Sequence, residues 1–150
     1  MSPASQSSAL TEDFGWGLRA VSMTFQALAG DAVADLPGRA RGYLVLVAVS
    51  RAEAPSQLSL ATQLGIDKNQ MTAVIDALEE RSLVKRTADP ADRRARLIAI
   101  TPRGRRRLDR ARAAIREVED HLLDALEPDA RRSFRSMLSQ IAAGTTDPRA

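Results

Sequence analysis

The chain has 150 residues and a formal net charge of +3, with 44% hydrophobic and 27% charged residues. This length suits one domain or two small ones, and the composition argues against disorder or a fibrous repeat. There is no cysteine and only one histidine, His121, which excludes disulfides, thiolate metal sites and histidine clusters for zinc or copper. With no 18-residue apolar run and no secretory signal, we expect a cytoplasmic protein without a membrane span.

The basic residues are concentrated in one segment. Residues 93–116 contain ten arginines and one acid, whereas the remainder of the chain carries 12 basic and 18 acidic residues. Such a basic segment is typical of a protein that binds a polyanion. A solvated helix face in an arginine-rich protein would look the same, so charge alone leaves both interpretations open.

Apolar residues at helical spacing predict a first helix, capped by Thr11 and ended by Gly30. Its stripe recurs at steps of three and four residues: Phe14, Leu18, Val21, Phe25 and Leu28. Pro37-Gly38 opens a second helix, and its run Tyr43–Val49 is apolar on nearly all sides, which predicts a buried element.

Two short helices joined by a tight turn follow. Ser56 begins the third helix, Gly65 ends it, and Asp67 caps the fourth. The fourth helix has a regular amphipathic stripe of Met71, Val74, Ile75 and Leu78. This is a helix-turn-helix pattern, in which the second helix can lie in a DNA major groove.

A hairpin and two further helices complete the pattern. Leu83–Thr87 and Arg96–Ile100 predict strands around a turn at residues 89–92, with Leu97 alternating against its neighbours. Thr101-Pro102 begins a long fifth helix, and Pro128 begins a sixth that closes at Gly144. Their apolar stripes are Leu108, Ala111, Ile115, Val118, Leu122 and Leu126, then Phe134, Met137, Leu138 and Ile141.

Four segments resemble the MarR family of transcriptional regulators: residues 60–67, 78–84, 89–94 and 97–104. The resemblance implies a mainly α fold with a small β-hairpin, in which dimerisation helices flank a winged helix-turn-helix domain. Ser82 departs from the family's usual glycine, and serine adds strain there if the position requires a positive φ. The implied division is a disordered leader (1–9), an N-terminal dimerisation helix (10–36), the winged domain (37–102), C-terminal dimerisation helices (103–144) and a tail (145–150).

The resemblance implies a homodimeric repressor that binds a palindromic operator in double-stranded DNA. Release by a small aromatic or anionic effector is also implied. Catalysis has no support, because the sequence lacks a Gly-x-Ser-x-Gly motif and a glycine-rich phosphate loop with a lysine, and it indicates no carboxylate pair. We therefore expect no enzyme activity and no cofactor. The alternative is a winged-helix module that docks an acidic protein partner.

Candidate DNA contacts lie on the fourth helix and on the wing, which is the predicted hairpin of residues 83–100. Amides, lysine, threonine and alanine can read base edges in the major groove, and the candidates at the start of the helix are Lys68, Asn69, Gln70, Thr72 and Ala73. Arg86 on the first strand is a candidate phosphate contact. By resemblance, Arg93 and Arg94 at the wing tip enter a minor groove, and we expect Asp89 and Asp92 to orient them by pairing. Polar first turns and surface Arg–Asp pairs are also common without function.

Aromatic residues supply candidates for an effector pocket. In this family such ligands bind between the dimerisation arms and the winged domain, and the candidates here are Trp16, Met23, Phe25 and Tyr43. Core or dimer packing is the commoner role of such residues. The arginines that begin the fifth helix are expected to attract DNA at long range, with some of them pairing with acids such as Glu117. His121 is expected on the surface or at an interface.

Overall fold

The computed structural model describes residues 10–51 and 53–145. The order of elements in this part of the chain confirms the expected mainly α fold with one hairpin. No helix within it is long and apolar enough to cross a membrane. The elements are α1 (Phe14–Ala32), α2 (Arg39–Val49), α3 (Gln57–Leu64), α4 (Lys68–Glu80), β1 (Val84–Ala88), β2 (Arg96–Ile100), α5 (Pro102–Leu122) and α6 (Pro128–Gly144).

The helix-turn-helix is bounded by the capping residues that the sequence indicated. The Ser56 hydroxyl accepts a hydrogen bond from the Ser59 amide at 3.1 Å, which begins α3. Gly65 ends α3 in a left-handed conformation, with φ of 61°. The Asp67 carboxylate then accepts from the amides of Asn69 and Gln70 at 2.9 and 3.2 Å. Each cap satisfies backbone donors that a helix leaves free at its start, so these boundaries follow from local sequence.

The core lies between α2 to α5 and the hairpin, and the end of α1 also packs into it. Its fully buried side chains include Leu46, Leu60, Met71, Ile75 and Leu78. Each such side chain contributes about 1.5–3 kcal/mol relative to an exposed one. The stripe predicted for α4 is therefore confirmed as the face that holds this helix in place.

The second strand has a different buried residue from the one expected. Ile98 is fully buried, whereas Leu97 is only partly covered. The Ile98 amide donates to the Pro55 carbonyl at 2.9 Å, and Ser56 forms an isolated bridge with Leu97. The segment before α3 thus pairs with β2 on its free edge, and this non-local pairing sets which side chains face the helices.

Several predicted boundaries shift by a few residues. Asp13, not Thr11, caps α1, because its carboxylate accepts from the Trp16 amide at 2.7 Å. The helix continues through Gly30 to Ala32, since one glycine inside a helix costs only about 1 kcal/mol. The first strand begins and ends one residue later than predicted. The fifth helix ends at Leu122, so Leu126 lies beyond it.

The outer helices expose much of their apolar stripes. On α6, Met137, Leu138 and Ile141 are 53%, 48% and 65% exposed, although the pattern placed them inward. The α1 residues Phe14, Leu18 and Val21 are exposed as well, and so is Leu44 on the helix that was expected to be buried on nearly all sides. A single chain does not cover these faces.

Two positions beside the hairpin have a restricted backbone: Ser82, before β1, and Gly104, in the first turn of α5. Ser82 has φ of 57°, so the position does require the left-handed conformation that serine adopts at a cost. Gly104 packs against the same loop, and a Cβ built there would lie 2.0 Å from the Leu83 carbonyl oxygen. This close approach explains why glycine stands three residues after Thr101, the residue that caps α5.

Replacing Ser82 by glycine should stabilise the protein. The left-handed conformation costs a residue with a side chain about 1–2 kcal/mol, and glycine would remove this cost. The greater freedom of glycine in the unfolded chain opposes folding by roughly 0.5–1 kcal/mol, so only part of the gain remains. We expect Ser82→Gly to raise the free energy of unfolding by about 0.5–1 kcal/mol in urea titrations. The matched control Ser133→Gly, at an exposed position inside α6, should lower it by about 0.5 kcal/mol. Equal effects at the two sites would contradict the strain at Ser82.

Candidate nucleic-acid interface

The outer face of α4 presents the residues predicted to read bases. Lys68, Asn69, Gln70 and Ala73 are exposed, and Thr72 is partly buried at the edge of this face. The opposite face carries the buried stripe of the helix. Burial of one side thus holds the other side toward solvent, where the candidate side chains can approach a duplex.

The side chains of the wing arginines have no hydrogen-bond or ion-pair partner among the described residues, but the wing acids act differently from the expectation. Asp89 accepts from the Ala91 amide at 2.8 Å, and Asp92 accepts from the Arg94 amide at 2.9 Å. Within residues 53–145, neither acid forms an ion pair with the side chain of Arg93 or Arg94. The expected pairing is therefore wrong: a short aspartate side chain reaches the backbone two residues on and shapes the turn itself. The acids support the wing and leave both guanidinium groups exposed.

Helix and wing meet at a common groove of about 560 Å³. Lys68 from the start of α4 and Arg94 from the wing both line it, together with Arg96 and the two turn acids. The two parts predicted to touch DNA thus form neighbouring walls of one surface.

Arg86 is paired inside the protein. Its Nη1 donates to Glu79 Oε2 and its Nη2 to Asp76 Oδ1, each at 2.6 Å. Its Nε donates to Gln57 Oε1 at 3.3 Å, and only 20% of its side chain is exposed. The expected phosphate contact is replaced by a structural role, because Arg86 connects the wing strand to α4 and to the start of α3. The Asp76 and Glu79 carboxylates of α4 are thereby neutralised locally.

This role was visible in strand alternation but was missed. Arg86 lies two residues after the buried Val84 and pairs with the buried Ile98 across the hairpin. Alternation therefore places Arg86 on the inner face of the sheet. The positions of Gln57, Asp76 and Glu79 around its guanidinium had no sequence signal, since they depend on how two helices and a strand pack.

The Glu79 carboxylate is held in its charged form by this arrangement. Its Oε1 accepts from the Arg86 backbone amide at 3.0 Å, and its other oxygen accepts from the guanidinium. The backbone hydrogen bond to Arg86 is the main cause that lowers the pKa of Glu79 below its usual value. Hydrogen bonds to the ionised form favour that form.

The arginines at the start of α5 divide into two groups. Arg107 pairs with Asp35 at 2.6 Å, while Arg105 and Arg112 donate to Ser50. Arg103, Arg106 and Arg110 have no side-chain partner among the described residues. These three lie on the outward side of the helix, where they add positive potential. Glu117, expected to pair with the cluster, does not do so in the described region.

The four candidate effector residues do not line one pocket. Trp16 and Met23 share one face of α1, and Phe25 lies about two and a half turns from Trp16, on the opposite face. Phe25 lines a groove of about 510 Å³ between α1, α5 and α6, together with Phe134 and Arg135. Tyr43 packs against the core instead, where burial raises the pKa of its hydroxyl. The predicted grouping fails because helix periodicity separates residues that are close in sequence.

Arg135 is the polar feature of this α1–α5–α6 groove. Its Nη2 lies 3.3 Å from Glu119 Oε2 and 2.9 Å from Asp120 Oδ1. Its Nε is buried and has no hydrogen-bond partner among the described residues. A buried donor without a partner costs about 1–3 kcal/mol. The groove therefore combines apolar walls with the Glu119–Arg135 ion pair. No cluster of metal-binding side chains occurs in the described ranges.

Comparison with known proteins identifies the family. The model of the MarR family matches residues 40–95. A MarR-family transcriptional regulator from Rhodococcus sp. RHA1 is 34% identical and superposes with a TM-score of 0.78, over 92% of this chain and 98% of that one. The chain belongs to the MarR family of transcriptional regulators. The matched segment contains nearly all of α2, the helix-turn-helix and most of the wing. It therefore includes most of the residues that line the groove between α4 and the wing.

Two solved structures of one further relative, CouR, contain a bound partner. CouR from Rhodococcus jostii RHA1, solved with p-coumaroyl-CoA, is 34% identical with a TM-score of 0.73, over 92% of this chain and 97% of that one. The transcriptional repressor CouR was also solved with a 23-mer DNA duplex (33% identity, TM-score 0.74, 89% and 94% coverage). A protein of Thauera aromatica named as a transcriptional regulatory protein for the hcr operon is 31% identical over 99 residues. That alignment covers 66% of this chain, which spans 60% of that relative's length.

The Glu79–Arg86 contact should contribute stability that depends on pH. Because the pKa of Glu79 is lowered in the folded protein, its contribution is complete above the unfolded value near 4.5 and is lost as pH falls through the folded pKa. Glu79→Gln should lower the free energy of unfolding at pH 7 by about 0.5–1 kcal/mol, a size limited by solvent screening. The difference from wild type should shrink as pH falls below 4.5.

Urea titrations across this pH range would measure the effect. Glu80→Gln is the matched control, since Glu80 is exposed on the same helix and makes no side-chain contact within the described residues. It should change stability by less than about 0.5 kcal/mol. A Glu79→Gln deficit that stays constant down to pH 3 would refute the electrostatic explanation.

Proposed function

We propose that this protein is a sequence-specific transcriptional repressor that binds a palindromic operator as a homodimer. The observation that carries the proposal is the shared groove of α4 and the wing, with Lys68 and Arg94 on it. Arg93 and Arg94 extend this surface as exposed cations, with no ion pair to any residue in 53–145. A polar helix face beside a basic wing has the geometry for a major-groove and an adjacent minor-groove contact.

The residues of the interface divide by chemistry. The amides of Asn69 and Gln70 can pair with an adenine edge, and Lys68 with guanine or a phosphate. Ala73 can contact a thymine methyl group. The wing arginines bind backbone and groove without reading individual bases directly. We therefore assign sequence preference to α4 and general affinity to the wing.

The exposed apolar stripes support a homodimer. Met137 and Ile141 on α6, and Phe14 on α1, lie on faces that one chain leaves open to water. Apolar surface of this kind is normally covered by another protein surface. A two-fold dimer would place two α4 helices about 34–36 Å apart for successive major grooves, and such symmetry makes the operator palindromic.

The α1–α5–α6 groove supports an aromatic effector. Phe25 and Phe134 can contact an aromatic ring, and the guanidinium group of Arg135, which also lines the groove, can donate to an acceptor on it. Since Glu119 and Asp120 already compensate the charge of Arg135, the groove suits a neutral carbonyl better than a free carboxylate. CouR, solved with p-coumaroyl-CoA, is a relative that binds the thioester of an aromatic acid. A ligand between the arms would favour another separation of the two α4 helices and release the DNA.

Removing a wing arginine should weaken binding to all duplexes. Arg94→Ala should reduce affinity regardless of sequence and lower the slope of log affinity against log salt by about one. Asn69→Ala and Gln70→Ala should instead relax preference at particular base pairs, by about 1–3 kcal/mol where the contact is bidentate. Arg132→Ala on α6, paired with Asp129, is the control and should change neither quantity.

Fluorescence anisotropy at several salt concentrations would measure these effects, with the operator and a scrambled duplex as ligands. Uniform loss from all three interface substitutions would contradict the division between reading and positioning. Equal binding of the scrambled duplex by the wild type would favour the alternative, a module for an acidic protein partner.

Disrupting the α6 stripe should separate the subunits. Sedimentation at low micromolar concentration should give twice the chain mass of 16.3 kDa. Ile141→Asp places a charge on the apolar face and should shift the population to monomer, since burying an unpaired charge is costly. Ser136→Asp, on the opposite side of α6, should remain dimeric. A stable wild-type monomer at this concentration would exclude the dimer.

The thioester of an aromatic acid should release the protein from DNA. We expect p-coumaroyl-CoA to dissociate the complex at lower concentration than p-coumarate, with no effect of peroxide or zinc, because the chain has no cysteine and one histidine. Phe25→Leu should raise the concentration for half release by about threefold to tenfold. Met23→Leu, on the other face of α1, should leave it unchanged. Release by peroxide or zinc, without any aromatic effect, would overturn this mechanism.

A further inference from the structure

Gln57, outside the predicted recognition face, bridges two elements of the interface. It stands in the first turn of α3 and is partly buried. Its Nε2 donates to Thr72 Oγ1 at 2.8 Å, and its Oε1 accepts from Arg86 Nε at 3.3 Å. One side chain thus connects the wing strand to the middle of α4.

Arg86 determines which way the Gln57 amide points. A guanidinium group offers only donors, so the carbonyl end of Gln57 must face it and the amino end must face Thr72. The guanidinium is itself held by Asp76 and Glu79. The orientation of the amide therefore follows from the packing of the wing against α4.

The Thr72 hydroxyl is committed on two sides. It donates its only hydrogen to the Lys68 carbonyl at 3.0 Å while it accepts from Gln57. A hydroxyl has one hydrogen and two acceptor positions. Thr72 is left with one acceptor position and its methyl group, and with no donor for a base edge.

We propose that Gln57 is a specificity-positioning residue that fixes the Thr72 side chain. As a result, Thr72 disfavours guanine as the base that it contacts. Guanine presents only acceptors, N7 and O6, in the major groove, and a threonine without a free donor cannot pair with them. Thymine offers a methyl contact, and the amino groups of adenine and cytosine can donate to the remaining acceptor position. This inference rests on the proposed DNA-binding function.

Selection from a random pool tests the proposal. The wild type and its variants would be incubated with duplexes carrying a randomised segment of about 20 base pairs, enough for two half-sites, and the bound fraction sequenced. Thr72→Ala identifies the base pair that Thr72 contacts. At that pair we expect the wild type to select against guanine about fivefold or more, and Gln57→Ala to bring this factor close to one.

Two further variants separate positioning from stability. Gln57→Glu keeps an acceptor for Arg86 and turns a carboxylate oxygen toward the Thr72 hydroxyl, whose hydrogen stays committed to this oxygen or to the Lys68 carbonyl. This variant should therefore keep the discrimination against guanine while the fold is retained. Adding Gln57→Ala to Thr72→Ala should cause no additional change at this pair. Gln63→Ala, at an exposed glutamine of the same helix, should leave the whole preference unchanged.

The outcomes distinguish this inference from the function on which it rests. Enrichment of a wild-type motif with guanine discrimination unaltered by Gln57→Ala, or lost in Gln57→Glu, would overturn the role of Gln57 and leave DNA binding intact. A motif that shows no position sensitive to Thr72→Ala would also overturn it. Failure of the wild type to enrich any motif would refute the proposed function, and this inference with it.

Discussion

Burial of the apolar side of α4 is the constraint on which the other features depend. Met71, Ile75 and Leu78 are completely covered by neighbouring elements, and a helix of 13 residues would be marginal in water without such packing. Because these side chains occupy one side of the helix, the polar side must face solvent. The interface is therefore a consequence of the core, and residues that maintain the core also determine what the surface presents.

The hairpin is held to this helix by charge as well as by packing. Arg86 joins the strand to Asp76 and Glu79, two carboxylates that would otherwise repel a polyanion near the groove. Exposed ion pairs contribute little free energy individually. A half-buried arginine with three partners from two helices restricts geometry more than it adds stability, which is what a surface that reads DNA requires.

Lys68 and Arg94, brought together on the α4–wing surface, differ from the arginines of α5 in their surroundings. Arg107 is paired with Asp35 and connects α5 to the loop after α1. Arg103, Arg106 and Arg110 face outward at the start of the same helix. A cluster that looks uniform in sequence is thus partly structural and partly electrostatic, and Arg107, whose charge Asp35 offsets, adds less to the long-range field than the arginines without an ion pair.

Local chemistry made the helix-turn-helix predictable from the sequence. Ser56, Gly65 and Asp67 act on backbone groups within three residues, so the limits of α3 and α4 required no knowledge of the fold. The amphipathic stripe of α4 was predictable for the same reason. The family's wing and loop motifs also indicated that position 82 could need a positive φ, as the structure shows.

Contacts between distant segments could not be obtained in this way. Gln57 and Arg86 are 29 residues apart, and their hydrogen bond exists because a strand, two helices and a turn meet at one place. The same applies to the α1–α5–α6 groove, which Phe25 and Phe134 both line, whereas Trp16 lies on the opposite face of α1. Sequence alone determined the elements, their caps and the face of α4 that is left open. Tertiary packing decided which polar side chains are paired inside the protein and which remain free to bind, because that depends on distances between side chains far apart in the chain.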